Sequence, residues 1–196
     1  ALTNETVKAE GFVKDEGVTT HVNGSQTNAG SSKNTFAKPA YEAKAGTDLN
    51  NYDITTKEGT LTVKPVETEV KVKITGHQNA VTYDGTEHTV TGYDVTEISN
   101  TLYTANDFTF SGKAEAVGTD AGSYKMGLTK DQFKNTNKNF TKVTFVVTDG
   151  KLTIEKRKVT LTSADASKEY DGTPLTSNEI TVGGEDGFVE NEGVTY

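Results

Sequence analysis

The chain has 196 residues, of which only 32% are apolar, and it contains neither Trp nor Cys. Its formal net charge of −8 argues against a nucleic-acid or anionic-membrane surface, because the 20 Lys and Arg are scattered and their densest run is Lys156-Arg157-Lys158. So few apolar residues, with a mean hydropathy of −0.60, exclude one large core and favour several slim modules.

The 34 Thr and 19 Gly point to many short strands joined by turns. Thr is β-branched and a weak helix former, and Gly accepts backbone angles that turns require. Along the chain, the first clear element is the opener Thr27-Asn28-Ala29-Gly30-Ser31-Ser32-Lys33. A turn at Lys57-Glu58-Gly59 leads into a strand in which Leu61 and Val63 alternate with Thr60, Thr62 and Lys64. Val70, Val72 and Ile74 then alternate with Lys71, Lys73 and Thr75, the pattern of a half-buried strand. Helical patterning is confined to Glu97–Tyr103 and Lys130–Lys134. Further on, Thr148-Asp149-Gly150-Lys151 is expected to join Val143–Val147 to Leu152–Ile154 as a type I′ hairpin, since Asp-Gly accepts positive φ. Val159 and Leu161 mark one more strand.

The chain repeats itself. Thr27–Lys33 recurs 92 residues later as Thr119-Asp120-Ala121-Gly122-Ser123-Tyr124-Lys125. Gly59-Thr60-Leu61-Thr62-Val63-Lys64 recurs 91 residues later as Gly150-Lys151-Leu152-Thr153-Ile154-Glu155. Tyr83-Asp84-Gly85-Thr86 recurs 87 residues later as Tyr170-Asp171-Gly172-Thr173. A longer echo links Leu2-Thr3 through Glu16-Gly17-Val18-Thr19 to Leu175-Thr176 through Glu192-Gly193-Val194-Thr195. The arrangement is an alternation of two module types of about 90 residues. Residues 1–66 are the C-terminal part of an A-type repeat, 67–156 a complete B-type repeat, and 157–196 the N-terminal part of the next A-type repeat. The two outer segments are expected to expose unpaired sheet edges, and 157–196 to exchange strands with 1–66 of a neighbouring molecule.

These motifs resemble the YDG/MBG-type repeat domains of bacterial cell-surface and adhesin-like proteins, with a Gram-positive source as the expectation. The resemblance is carried by Val81-Thr82-Tyr83-Asp84-Gly85-Thr86 and by Lys168-Glu169-Tyr170-Asp171-Gly172-Thr173-Pro174-Leu175-Thr176. Strand openers at Ala29 and Ala121 support it, as do module endings that run from Asn51-Tyr52-Asp53 to Val63 and from Asn139-Phe140 to Ile154. It implies an extracellular location, on a secreted or wall-attached protein, and a role as stalk or adhesin. The expected fold is all-β: tandem, elongated β-sandwich-like modules, with β-grasp-like modules or single-layer sheets as alternatives.

Catalytic constellations are missing: there is no Cys nucleophile, no Gly-x-Ser-x-Gly elbow and no phosphate-binding glycine loop. His21, His77 and His88 lack ligand-spaced partners, and no cofactor is expected. The loop carboxylates Asp84, Asp120, Asp171 and Glu185-Asp186 do not form a dense calcium loop. Tyr83, Asp84 and Gly85, with Tyr170, Asp171 and Gly172, are expected to be structural turns in which Asp bonds its own backbone, Gly takes positive φ and Tyr covers the sheet edge. Should the modules bind a host glycan or matrix protein, Tyr93, Tyr103 and Phe108 are the aromatic candidates; core packing is the plainer expectation for these rings. The N-terminal residues lack the basic and apolar regions of a signal peptide, so signal and anchor are expected outside this sequence. The expected role is a structural spacer rather than an enzyme, with neighbouring repeats of the same chain as its partners.

Overall fold

A computed structural model describes residues 1–183 and 187–195. Glu185-Asp186 lie outside the described residues. The chain is all-β, and the longest helices among the described residues are single 3₁₀ turns of three residues at Leu49–Asn51, Ala105–Asp107 and Lys130–Gln132. Glu97–Tyr103 is not helical. Glu97 and Ile98 end a strand, and the chain then turns at Asn100, whose side chain accepts the Leu102 N–H at 2.9 Å. A β-grasp arrangement, which needs a real helix across the sheet, is thereby excluded for the described residues.

Contacts divide the chain into two compact units. The first comprises Ala1–Val70 with Asn135–Thr144. Its strands are β1 (Val18–Val22), β2 (Gly30–Asn34), β3 (Phe36–Ala43) and β4 (Gly59–Val63). β1 pairs antiparallel with β3, and β2 pairs antiparallel with β4. Pro39, which has no N–H to donate, falls in the irregularity where Val22 pairs Phe36 but Thr20 pairs Tyr41. Asn139 ties this unit together. Its Oδ1 accepts the Ala29 N–H at 2.6 Å and its carbonyl accepts the Val66 N–H at 2.7 Å. Phe140, 4% exposed, is buried beside that bridge.

The second unit comprises Lys71–Lys134 and Phe145–Tyr196. It contains most or all of each of β5 (Val70–Gly76), β6 (Gln78–Thr82), β7 (His88–Thr91), β8 (Tyr93–Ile98), β9 (Phe108–Phe110), β10 (Glu115–Gly118), β11 (Gly122–Lys125), β12 (Phe133–Asn135), β13 (Val143–Thr148), β14 (Lys151–Glu155), β15 (Thr160–Ser163) and β16 (Ile180–Gly183). Two three-stranded sheets, ordered β13-β5-β8 and β11-β14-β6, are accompanied by the pairs β7-β10, β9-β12 and β15-β16. β14 runs parallel to β6 and antiparallel to β11. The alternation of β5 buries Val70, Val72 and Ile74 while its lysines face water. Leu152 and Ile154 of β14 join Ala116, Met126 and Leu128 in the core.

The Thr148-Asp149-Gly150-Lys151 corner does not close a hairpin, because β13 and β14 belong to different sheets. The Asp149 carboxylate accepts the Gly127 N–H at 3.2 Å and the Leu128 N–H at 2.8 Å, fastening the corner to the segment that follows β11. Gly150 has no positive φ. Its function is close approach: a Cβ there would lie 2.5 Å from the His77 carbonyl oxygen, and one on Gly76 would lie 2.3 Å from the Gly150 nitrogen.

The sequence repeats are also repeats of hydrogen-bonded register. Ile74↔Val95 and Thr75↔Asp94 of β5-β8 recur, 87 residues later, as Leu161↔Val182 and Thr162↔Thr181 of β15-β16. Gly122↔Ile154 and Tyr124↔Leu152 of β11-β14 have their counterparts in Gly30↔Val63 and Ser32↔Leu61 of β2-β4. Even the isolated bridge Leu2↔Gln26 matches the His88↔Gly118 end of β7-β10.

Candidate functional site

The two Tyr-Asp-Gly turns have the same backbone chemistry. Asp84 Oδ1 accepts the Thr86 N–H at 2.9 Å and its hydroxyl at 2.7 Å, and Asp171 Oδ1 accepts the same two donors of Thr173 at the same distances. Between Asp and Thr, Gly85 has φ +77° and Gly172 has φ +80°, values that L side chains rarely adopt. Each carboxylate also meets a cationic or imidazole group. His88 Nε2 lies 2.9 Å from Asp84, and Lys168 Nζ donates to Asp171 at 2.8 Å. The Thr86 hydroxyl, its N–H and His88 hold the Asp84 carboxyl at about 2, whereas for Asp171 the Lys168 ammonium leads and Thr173 follows, again to about 2. With their donors already supplied, these carboxylates serve the turn.

The tyrosines differ between copies. Tyr83 packs on the core, and its hydroxyl donates to Glu192. Arg157 Nε donates to the Gly187 carbonyl at 2.8 Å and its Nη1 reaches the Tyr83 carbonyl at 3.4 Å. Val189 covers Gly85 so closely that a Cβ there would lie 2.8 Å from its Cγ1. Residues 187–192 therefore lie over the Tyr83 turn. Tyr170, by contrast, is 97% exposed and covers no sheet edge, contrary to the expectation for this ring. Its turn is followed by a segment without strand pairing up to Ile180.

Sequence reasoning missed the role of the glutamates in the two Glu-Gly-Val-Thr echoes. Glu192 accepts the Tyr83 hydroxyl, and Glu16, its counterpart, accepts the Tyr52 hydroxyl. In both pairs the carboxylate hydrogen bond is the main reason the phenol titrates above its ordinary range. The recurrence of Glu in the echo was the available signal. Its partners could not be found that way, because they are Tyr residues 36 and 109 positions away.

Tyr103 and Phe108 are 2% and 8% exposed, which leaves no open ring at either position for a sugar to stack on. Tyr103 donates its hydroxyl to the Asp107 carbonyl at 3.0 Å, and burial pushes its phenol up to about 12. Tyr93, Phe108, Phe110, Phe133 and Phe145 form one aromatic cluster with centroids 4.9 to 6.1 Å apart. Each His pairs with one carboxylate: His21 with Glu42, His77 with Asp94 and His88 with Asp84. Among the described residues, no group of three or more His, Asp or Glu converges as a metal site would require.

The first unit carries a groove of about 330 Å³ lined by two segments, Val7–Phe12 and Tyr52–Lys57. Neither segment is assigned to a strand.

The MBG domain family model matches residues 69–156. No curated protein matches the chain, and no solved structure matches it.

Proposed function

Residues 69–156 are an MBG domain, and from that premise we propose that the chain is a structural stalk or spacer segment of a secreted or wall-attached bacterial surface protein. The observation that carries this reading is the recurrence of register. Strand pairs of the MBG domain return before it, at offsets of 91 and 92 residues (β11-β14 as β2-β4), and after it, at 87 (β5-β8 as β15-β16). What the repeats preserve is pairing and turn geometry, and the residues they preserve most closely, Asp84-Gly85-Thr86 and Asp171-Gly172-Thr173, are occupied by their own turns. A spacer needs propagation of a fold rather than a reactive group, so the reading assigns the chain no catalysis and no cofactor. Among the described residues no helix is long and apolar enough to cross a membrane.

The test is a screen of the 196-residue chain against a glycan array and immobilised extracellular-matrix proteins. The spacer reading expects no saturable retention. A saturable ligand would establish the adhesive role in its place.

A further inference from the structure

At three corners of the MBG domain the chain changes sheets with only one or two residues between strands, and the three corners meet at one histidine. His77 stands between β5, of the sheet β13-β5-β8, and β6, of the sheet β11-β14-β6. Gly92 stands between β7, which pairs with β10, and β8, which pairs with β5. Asp149-Gly150 is the corner between β13 and β14. The His77 backbone is bonded to both of the other corners. Its N–H donates to the Gly92 carbonyl at 3.1 Å, and its carbonyl accepts the Lys151 N–H at 3.1 Å. The approach is close on both sides, since a Cβ on Gly92 would lie 3.0 Å from the His77 ring and one on Gly150 2.5 Å from the His77 carbonyl oxygen.

The imidazole faces two acceptors. Nδ1 lies 2.7 Å from the Thr91 carbonyl oxygen, and Nε2 lies 3.3 Å from Asp94 Oδ1. A carbonyl and a carboxylate only accept, and a neutral imidazole has a single N–H to donate. The imidazolium serves both, whereas the neutral ring turns a lone pair towards one of the two oxygens. The Asp94 carboxylate first, and the Thr91 carbonyl second, raise the His77 imidazole above its ordinary value. The other charged groups on the elements that meet here are engaged elsewhere or face water. Lys73 of β5 pairs with Glu97 of β8, Lys113 with Glu115 of β10, and His88 of β7 with Asp84. Asp149 accepts the Gly127 and Leu128 N–H groups, and Lys151 of β14 is exposed. Among the described residues, Asp94 is the one carboxylate within ion-pair distance of the His77 ring.

We propose that His77 is a proton-operated clamp of the MBG domain: with both ring nitrogens protonated it ties the β5–β6 corner to the β7–β8 corner through Thr91 and Asp94, and loss of one proton releases one of those ties. The β13–β14 corner crosses at the same point, so both three-stranded sheets share the clamp. A histidine raised in the fold stabilises it fully below the unfolded value of about 6.5, and that contribution is lost as pH rises through the folded value. The MBG domain is therefore held more firmly on the acid side of neutrality. The proposal stands apart from the spacer reading, because it needs only the geometry of the three corners.

The test is NMR of the 196-residue chain, with Asp94→Asn and His77→Gln beside the wild type. The His77 imidazole is titrated, and melting is followed at the β5 amides at about pH 5 and about pH 8, the span in which histidine changes charge. Asp94 is 72% exposed in its side chain, so Asp94→Asn removes the charge and leaves the packing in place. In the wild type His77 is expected to titrate above about 6.5, and in Asp94→Asn to move back towards that value. The wild type's lead in melting temperature over each variant is expected to be larger at the acid pH. A wild-type His77 at or below the ordinary value, a titration that Asp94→Asn leaves unmoved, or a lead that is equal at both pH values would overturn the proposal. The titration and the lead over Asp94→Asn are read without His77→Gln, should that variant not fold.

Discussion

At the scale of single residues, the Tyr-Asp-Gly turn is held by hydrogen bonds that are strongest while its Asp is ionised. The Asp84 carboxyl sits at about 2 because Thr86 donates twice and His88 lies against it. A carboxyl held below its unfolded value of about 4 stabilises the fold above that value, and its contribution is lost as pH falls from about 4 to 2. Carboxyl NMR titration should place Asp84 and Asp171 near 2, and Thr86→Val should move Asp84 back towards the ordinary carboxylate range. An unshifted Asp84 in the wild type would contradict the turn geometry. This part of the site was legible in the sequence, because Asp, Gly and Thr are adjacent and their bonding is local. The fate of the neighbouring Tyr was not. Tyr83 is covered by residues 187–192, more than a hundred positions away, while the identical triplet at Tyr170 stands open.

At the scale of elements, two features hold the MBG domain together. One is the crossing of Gly76 and Gly150, where each backbone occupies the space of the other's Cβ. Gly150→Ala should cost about 1–3 kcal/mol, as overpacking against unyielding backbone does, measured by urea denaturation. A neutral result would mean that the two strands can move apart. The other is the aromatic cluster, in which Phe133 touches Tyr93, Phe108, Phe110 and Phe145. Phe133→Ala should cost about 3–5 kcal/mol, a large share of the roughly 5–15 kcal/mol that a small domain has. Thermal denaturation that shows little loss would put the core elsewhere. The period-two pattern made β5 and β14 visible from sequence, since alternation records which face is buried. It could not tell which sheet a strand joins. Asp149-Gly150 has the composition of a hairpin turn, yet the chain changes sheets there, a choice made by Gly127, Leu128 and Gly76 from distant parts of the sequence. Tyr93, Tyr103 and Phe108 were open to either a surface or a core reading for the same reason. Single rings carry no periodicity, and only the fold gathers them.

At the scale of the whole molecule, periodicity was the most legible property, because repeated sequence reproduces repeated register. Ile74↔Val95 and Leu161↔Val182 are one pairing written twice, as are Tyr124↔Leu152 and Ser32↔Leu61. The repeats nevertheless bury their counterparts unequally. Ile74 and Leu161 have the same place in the pattern, with opposite exposure, because only Ile74 has strands on both sides. The MBG fold is thus a set of strands whose pairings the flanking segments repeat in part. Amide hydrogen exchange of the 196-residue chain tests this most directly. Strong protection in β5, β6 and β14, with weaker protection in β15, is the predicted result. Exchange in β15 as slow as in β5 would contradict it.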